Sequence, residues 1–249
     1  MNTEAGLWCV VPAAGSGQRF GGELPKQYAL LNGRAVLWHT LHRLGEHPLV
    51  AGLVLVLAAD DDLWRSRLTN TGDDDTPELH GQGGAYPTSK PVHLATGGHT
   101  RADSVLAGLD ALPPEVAPDD FVLVHDAARP CIREQDIDRL IEEASDGDGG
   151  LLATPLRDTL KRADEQQCVA VTEPREDCWH ALTPQMFRRG PLASALNAAR
   201  DAGIAVTDES MAMEYAGFAP RLVEGHEDNI KITRPADLAL AEFLLERLP

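Results

Sequence analysis

A glycine-rich run and two nearby cations form the part of this sequence that is best suited to chemistry. The run covers residues 12–20 and reads PAAGSGQRF, and the segment PKQY follows at residues 25–28. Residues without large side chains leave their backbone N–H groups open to a phosphate. Arg19 and Lys26 would neutralise a triphosphate and stabilise the charge that develops as pyrophosphate leaves. The backbone positions predicted to bind phosphate here are Ala13, Ala14, Gly15 and Gly17.

Two better-known phosphate-binding motifs do not fit this run. It lacks the Gly-Lys-Ser/Thr of a Walker A motif, and the dinucleotide pattern GxGxxG fails because Phe20 occupies the place of its third glycine. A tight turn with two solvated basic residues is the plain alternative. The position of Arg19 and Lys26 beside the small residues favours the phosphate site.

The two segments together resemble the nucleotide-binding signature of the sugar-phosphate nucleotidyltransferases. They are most similar to the cytidylyltransferases of 2-C-methyl-D-erythritol 4-phosphate, and the resemblance extends from about Leu7 to Leu245. It implies transfer of CMP from CTP to that acceptor, giving 4-diphosphocytidyl-2-C-methyl-D-erythritol and pyrophosphate in non-mevalonate isoprenoid biosynthesis, with Mg²⁺ as cofactor. The segments RDTLKR and WHALTPQ favour this acceptor. A cytidylyltransferase for another polyol phosphate, such as ribitol 5-phosphate, and a non-catalytic nucleotide-binding protein remain as alternatives.

A second motif, GGHTRADSV at residues 97–105, resembles the family segment that holds cytosine and ribose. Glycine permits close approach of the backbone to a base, so Gly98 and Ser104 are predicted to contact the nucleotide. The family often has an acidic residue where His99 stands, so the sequence departs from the pattern there. A helix start with Asp103 in its first turn is the purely structural alternative.

The third motif, VHDAARP at residues 124–130, closes an apolar strand. Asp126 therefore lies at the edge of the sheet where ligands are expected, and it is the first candidate for a Mg²⁺ ligand, with Ala127 beside the nucleotide. The resemblance implies that Arg129 contacts the acceptor phosphate. A histidine at a strand end is more often structural than catalytic, and we interpret His125 in that way.

The resemblance also implies an arm at residues 156–186 that reaches across a homodimer and completes the partner's acceptor site. Thr159 would belong to one subunit's site, whereas Arg175 and Thr183 would come from the other subunit. Arg175 would hold the acceptor phosphate, a task that suits a bidentate guanidinium group. Without the resemblance, Arg175 has the features of a solvated loop residue.

The last two motifs of the resemblance concern the acceptor and the metal. Thr207 begins a helix, and in the family this segment holds the acceptor. In EGHEDNIKIT at residues 224–233, Asp228 would join Asp126 at Mg²⁺, and Lys231 would neutralise the acceptor phosphate. The catalytic residues predicted from all motifs are Arg19, Lys26, Arg175 and Lys231.

Continuous apolar runs that alternate with helical patterns must position these residues. Such runs are typical of parallel strands that are covered on both faces. We therefore predict an α/β fold with a doubly wound, mostly parallel, Rossmann-like sheet and an extended β-arm. The predicted strands are 7–13, 52–58 and 121–125, with weaker candidates at 91–95, 150–154 and 168–172, and the predicted helices are 35–46, 101–112, 134–145, one that begins at 207–210, and a last one with Thr233 as its N-cap.

The organisation along the chain predicts a single nucleotidyltransferase domain at residues 7–247. The arm at 156–186 lies within it. Residues 69–90 are acidic and rich in glycine, with few large apolar side chains, and they predict a flexible loop.

The bulk composition excludes several classes of partner. A net charge of −17 repels a nucleic-acid backbone, and no apolar run approaches the length of a membrane span. The four cysteines form no CxxC pair, and the N-terminus lacks the basic segment of a secretion signal. We therefore expect a cytoplasmic protein that binds neither nucleic acid nor membrane.

Overall fold

The computed structural model of the chain describes residues 6–15, 20, 24–64 and 86–248. Gly17 and Arg19 of the glycine-rich run lie outside the described residues, and so does most of the predicted loop at 69–90. The strands are β1 (Leu7–Pro12), β2 (Leu30–Leu31), β3 (Arg34–Ala35), β4 (Val50–Leu57), β5 (Val92–Thr96), β6 (Phe121–Val124), β7 (Gly150–Pro155), β8 (Leu160–Ala163), β9 (Val169–Glu173), β10 (Trp179–Arg188) and β11 (Arg221–Glu224). The helices are α1 (Val36–Glu46), α2 (Arg101–Asp110), α3 (Glu134–Ala144), α4 (Arg189–Asp201), α5 (Glu209–Tyr215) and α6 (Ala236–Leu245), and Lys26–Tyr28 form a single 3₁₀ turn.

Within the described residues, the central sheet has seven strands in the order β11-β7-β10-β6-β1-β4-β5. β1 pairs in parallel with β4 on one side and with β6 on the other. β10 runs antiparallel to both of its neighbours. The prediction of a mostly parallel α/β sheet is confirmed, although β10 and β11 were not among the predicted strands.

Helices cover both faces of the sheet, as the buried side chains of β4 demonstrate. Leu53 and Leu55 pack in one cluster with apolar residues of α1 and α3, whereas Val54 and Val56 pack in another with residues of α2 and α4. Successive side chains of a strand point to opposite faces, so the two clusters lie on opposite sides of the sheet. This arrangement explains why the strands consist of continuous apolar runs.

The prediction of Thr233 as the N-cap of the last helix is wrong. The helix begins at Ala236, and the carboxylate of Asp237 accepts hydrogen bonds from the backbone N–H groups of Thr233 and Arg234, each at 2.8 Å. An acidic residue of the first turn therefore satisfies backbone donors at the start of this helix.

A hairpin formed by β8 and β9 stands apart from the central sheet and pairs as a separate two-stranded sheet. Its side chains are largely exposed, including the apolar residues Leu160, Val169 and Val171. The hairpin lies inside the predicted arm, and its role between subunits stays a prediction. None of the described helices is long and apolar enough to cross a membrane.

Candidate active site

A cavity of about 560 Å³ opens at the carboxyl ends of β1, β5 and β6. The chain continues from β1 outward to β4 and β5 and then returns to β6 on the other side of β1, so the strand order reverses between β1 and β6. Ligands of doubly wound sheets bind at such a reversal. The described residues that line the cavity are Pro12, Ala13, Ala14, Gly15, Phe20, Lys26, Gln27, Gly98, His99, Thr100, Arg101, Ser104, Asp126, Ala127, Ala128, Lys231 and Thr233.

Residues from five separate segments of the sequence, which belong to four of the motifs, therefore meet in one place. The predicted phosphate-binding positions among them are Ala13, Ala14 and Gly15, and the predicted base-binding positions are Gly98 and Ser104. Lys26, Asp126, Ala127 and Lys231 line the same cavity. Among the described lining residues there are three permanent cations and one carboxylate, in a chain whose net charge is −17. The cavity is thus locally suited to a polyanion.

Close backbone packing joins the phosphate-binding loop to the base-binding loop. A Cβ added at Gly97 would lie 2.5 Å from the Cβ of Ala14 and 2.8 Å from the hydroxyl of Ser104, so only glycine fits there. The Ser104 hydroxyl donates to the carbonyl of Thr100 at 3.0 Å, and Thr100 caps α2 through a reciprocal pair of hydrogen bonds with Asp103. The alternative interpretation of this motif as a helix start is therefore also correct, because Thr100 and Ser104 both begin α2 and line the cavity.

Asp126 is the centre of the charged groups in the cavity. Its carboxylate lies 2.8 Å from Lys231 Nζ, 3.2 Å from Arg101 Nε and 3.4 Å from Arg129 Nε. Burial alone would raise the pKa of Asp126, but these three cations outweigh it and hold the pKa well below its usual range. Asp126 is therefore ionised at all physiological pH values and fixes the positions of three basic side chains.

Comparison with known proteins identifies the family. The family model for 2-C-methyl-D-erythritol 4-phosphate cytidylyltransferase matches residues 7–247. The chain belongs to this family. The cytidylyltransferase of that name from Stenotrophomonas maltophilia (strain R551-3) is 51% identical over 98% of this chain and 98% of its own length. Its counterpart from Xanthomonas oryzae pv. oryzae (strain PXO99A) is 51% identical over 97% of this chain and 83% of its own length.

A solved structure supports the same assignment. The crystal structure of the Francisella tularensis 2-C-methyl-D-erythritol 4-phosphate cytidylyltransferase is 31% identical to this chain, with a TM-score of 0.76. The match covers 96% of this chain and 99% of the other. The predicted family and fold class are thereby confirmed.

Arg101 lines the cavity and pairs with the buried Glu209, and neither was among the predicted site residues. The Arg101 guanidinium donates to both carboxylate oxygens of Glu209, at 2.5 and 3.0 Å, and with its third nitrogen to Asp126. Glu209 is fully buried, and burial raises its pKa while Arg101 opposes the rise. The sequence carried a weak signal, because a cation in the first turn of a helix opposes the helix dipole and is favoured there only when a nearby negative charge compensates it.

A buried layer below Asp126 explains the role of His125 and Thr183. The Asp126 N–H donates to the Thr183 hydroxyl at 3.1 Å, that hydroxyl lies 3.0 Å from His125 Nδ1, and His125 Nε2 lies 3.0 Å from the Arg129 carbonyl. A carbonyl only accepts, so Nε2 carries the proton and Nδ1 accepts from the hydroxyl. This chain of bonds is complete with a neutral imidazole. Burial lowers the pKa of His125 to about 4, in agreement with that assignment.

The buried imidazole predicts a pH dependence of stability. His125 has a pKa of about 4 in the folded chain and an ordinary value of 6.5 in the unfolded one, so the unfolded chain binds more protons between these values and stability falls as the pH falls. We expect that lowering the pH from about 7.5 to about 5 costs the wild type roughly 2 kcal/mol more than it costs His125→Gln. Urea unfolding of both proteins at the two pH values measures the difference. Equal losses would contradict a neutral buried imidazole.

Arg129 has partners other than the predicted acceptor phosphate. It is buried, pairs with Asp126 and donates to the Asn229 carbonyl at 2.7 Å. The Asn229 side chain in turn donates to the Thr183 carbonyl at 2.7 Å. Neither Arg129 nor Thr183 lines the cavity, so both support its floor in this structure.

Asp228 is not among the residues that line the cavity beside Asp126. It lines a second cavity of about 440 Å³ near the ends of β7 and β11, and both of its carboxylate oxygens accept hydrogen bonds from Arg133. Asp126 is the one carboxylate among the described residues that line the larger cavity. Within the described part of the chain, no group of three or more acidic, histidine or cysteine side chains is arranged to hold a metal.

The remaining predicted acceptor residues lie outside the cavity within this single chain. Thr159 and Arg175 are exposed at the base of the β8–β9 hairpin, and Arg175 donates to the Arg157 carbonyl. Thr207 is exposed just before α5, where Asp208 is the N-cap. The predicted helix start at 207–210 is confirmed by this cap.

Proposed function

We propose that this protein transfers CMP from CTP to 2-C-methyl-D-erythritol 4-phosphate and releases pyrophosphate. One observation of the structure carries the proposal: the basic residues Lys26, Arg101 and Lys231 line one cavity together with Asp126, at the reversal of the strand order. Membership of the cytidylyltransferase family supports the identity of both substrates. The same membership favours methylerythritol phosphate over ribitol 5-phosphate as the acceptor.

The acceptor phosphate needs no general base in this mechanism. A phosphate monoester has a second pKa of about 6, so near neutral pH it is largely a dianion and already a nucleophile. One of its oxygens attacks the α-phosphorus of CTP in line, the bond to the bridging oxygen breaks, and pyrophosphate leaves with the electron pair. The barrier is the approach of two anions, which cations lower. The neutral, buried His125 is consistent with this mechanism, since no proton transfer requires it.

We assign three stages of this reaction to basic residues. Lys26, with Arg19 of the glycine-rich run, neutralises the charge that builds on the leaving pyrophosphate. Lys231, which lines the same cavity, offsets the charge of the incoming phosphate. Arg175 of the partner subunit would bind the acceptor phosphate.

The cavity has a suitable ligand for Mg²⁺ in Asp126. Carboxylate oxygens are the ligands that Mg²⁺ prefers, and few protein ligands are needed when phosphates and water supply the rest. Asp126 Oδ1 accepts one hydrogen bond, from Arg101, and so retains a free lone pair. When bound, the metal neutralises phosphate oxygens of CTP. Asp228 lines the second cavity and pairs with Arg133, so we assign the metal to Asp126 alone.

We further propose a cytoplasmic homodimer in which the hairpin arms are exchanged. The exposed apolar side chains of Val169 and Val171 support an interface at the β8–β9 hairpin. Thr159 and Arg175 do not line the cavity of their own chain, which agrees with a role in the site of a neighbouring subunit. The four free cysteines suit a reducing compartment.

The proposed function is tested by pyrophosphate release with CTP, Mg²⁺ and methylerythritol phosphate. We expect turnover only when all three are present, with little reaction when UTP or ATP replaces CTP. Faster turnover of ribitol 5-phosphate would transfer the assignment to another polyol phosphate. CTP labelled at its α-phosphate, incubated without acceptor, should leave the protein unlabelled. A labelled protein would contradict direct attack.

The exchange of arms predicts that two inactive variants complement each other. In a mixed dimer of Lys231→Met and Arg175→Met, one site receives both defects and the other site receives neither. Random mixing should restore about a quarter of wild-type turnover, since about half of the dimers are mixed and each has one intact site. The measurement is turnover after the two variants are unfolded together and refolded. If Arg175 acted within its own chain, mixing would restore nothing.

A further inference from the structure

The amide of Gln27 is bonded to the back of the phosphate-binding loop. Its Nε2 donates to the Ala13 carbonyl at 2.8 Å and to the Gly15 carbonyl at 3.1 Å. Gln27 is 4% exposed and belongs to the 3₁₀ turn that also carries Lys26. Both protons of one amide group are therefore used on two carbonyls of the same loop.

These two bonds determine which backbone groups face the ligand. A carbonyl oxygen that pointed into the cavity would repel a phosphate, whereas an N–H would bind it. Gln27 binds the carbonyls of Ala13 and Gly15, and the Ala13 N–H donates to the Val56 carbonyl at 2.8 Å. Within the described residues, the N–H groups of Ala14 and Gly15 have no acceptor. In the described part of the loop, the carbonyls of Ala13 and Gly15 are thus occupied and two N–H donors are left for an anion.

The surrounding contacts fix Gln27 itself. The next residue, Tyr28, is buried and donates from its hydroxyl to Asp61 at 2.5 Å. The Tyr28 N–H donates to the Pro25 carbonyl at 2.9 Å, which closes the turn. The amide of Gln27 is therefore held in place by its own element rather than by the loop that it contacts.

We propose that Gln27 is a positioning residue that orients the phosphate-binding loop for the polyphosphate of CTP. It acts through the Ala13 and Gly15 carbonyls. It has no role in binding the base or the acceptor. The inference rests on the proposed function in that CTP is the ligand. It predicts a defect that depends on the phosphates, which a general loss of stability would not produce.

The test replaces the amide with groups of the same size. Gln27→Glu puts carboxylate oxygens against two carbonyls, and Gln27→Met removes the donors without adding charge. We expect Gln27→Glu to weaken CTP binding by at least about 10-fold and to leave the affinity for cytidine within about 2-fold. Calorimetry gives the affinity for CTP, and cytidine is measured as a competitor. In Gln27→Glu the KM for CTP should rise as the affinity for CTP falls, while the KM for the acceptor stays constant.

Gln135→Glu is the matched control, because it makes the same charge change on an exposed position of α3. It should bind CTP like the wild type. If Gln27→Glu does not fold, Gln27→Met carries the test alone. Equal losses of CTP and cytidine affinity, or no loss of either, would overturn the inference. A wild type that binds CTP but forms no product would refute the proposed function. The inference about Gln27 would then be decided by the binding measurements alone.

Discussion

Lys26→Met should lower kcat by at least about 100-fold, or roughly 3 kcal/mol of transition-state stabilisation, while the protein stays folded. Lys26 lines the cavity beside the phosphate-binding loop, on a turn whose other residues, Gln27 and Tyr28, are buried. In the proposed mechanism its ammonium group would contact the polyphosphate from a fixed backbone. Charge on the leaving pyrophosphate grows in the transition state, so loss of the cation affects kcat and not only KM.

The control for this variant is Lys90→Met. Lys90 is another of the chain's four lysines, and it is half-buried away from the residues that line the cavity. Steady-state kinetics of both variants should give wild-type turnover, within about 2-fold, for Lys90→Met. Comparable turnover of the two variants would remove Lys26 from the catalytic residues. Thermal unfolding of each variant separates a catalytic loss from a loss of structure.

The strands that carry the nucleotide site were predictable because each satisfies a simple rule. β1, β4 and β6 are continuous apolar runs, and a run of this kind has few alternatives to a strand buried on both faces. The glycine-rich loop follows β1 directly, so the position of the loop at the sheet edge followed from the position of the strand. The contribution of Lys26 and Asp126 to one cavity was predictable for the same reason.

β10 was not predictable because polar residues interrupt its apolar pattern. Gln185 is buried within it, donates to Asp208 at 2.9 Å and accepts from the Ser210 N–H at 2.8 Å. Thr183 is buried beside it with His125 as its partner. These partners are 23 to 58 residues away in the chain. A local pattern cannot reveal such bonds, since a buried polar group becomes acceptable only once the distant partner is in place.

Arg101 illustrates the same limit within the active site. It contacts Glu209, which is 108 residues away, and Asp126, which is 25 residues away. It thereby joins the base-binding motif, the strand end and the start of α5. Sequence motifs assigned these three segments to separate tasks, whereas the structure connects them through one guanidinium group. Arg101 is therefore important for stability and for the position of Asp126 at once.

Replacing Arg101 should affect both the free energy of unfolding and the turnover. Arg101→Met leaves the fully buried Glu209 without its cation, and breaking a buried ion pair in this way costs about 3 to 5 kcal/mol of the free energy of unfolding. The destabilisation should shrink as the pH falls, because burial raises the pKa of Glu209 and its protonation removes the unpaired charge. The exposed pair of Arg221 with Glu143 provides the control, since Arg221→Met should cost less than about 1 kcal/mol.

The double variant Arg101→Met/Glu209→Gln separates the two roles. It has no unpaired charge at Glu209, so urea unfolding should show most of the stability restored relative to Arg101→Met alone. Turnover should remain low, because Asp126 still lacks the contact with Arg101 and is held only by Lys231 and Arg129. If stability and turnover recovered together, Arg101 would have no role in the site beyond pairing Glu209. If neither recovered, the buried charge of Glu209 would not be the cause of the instability.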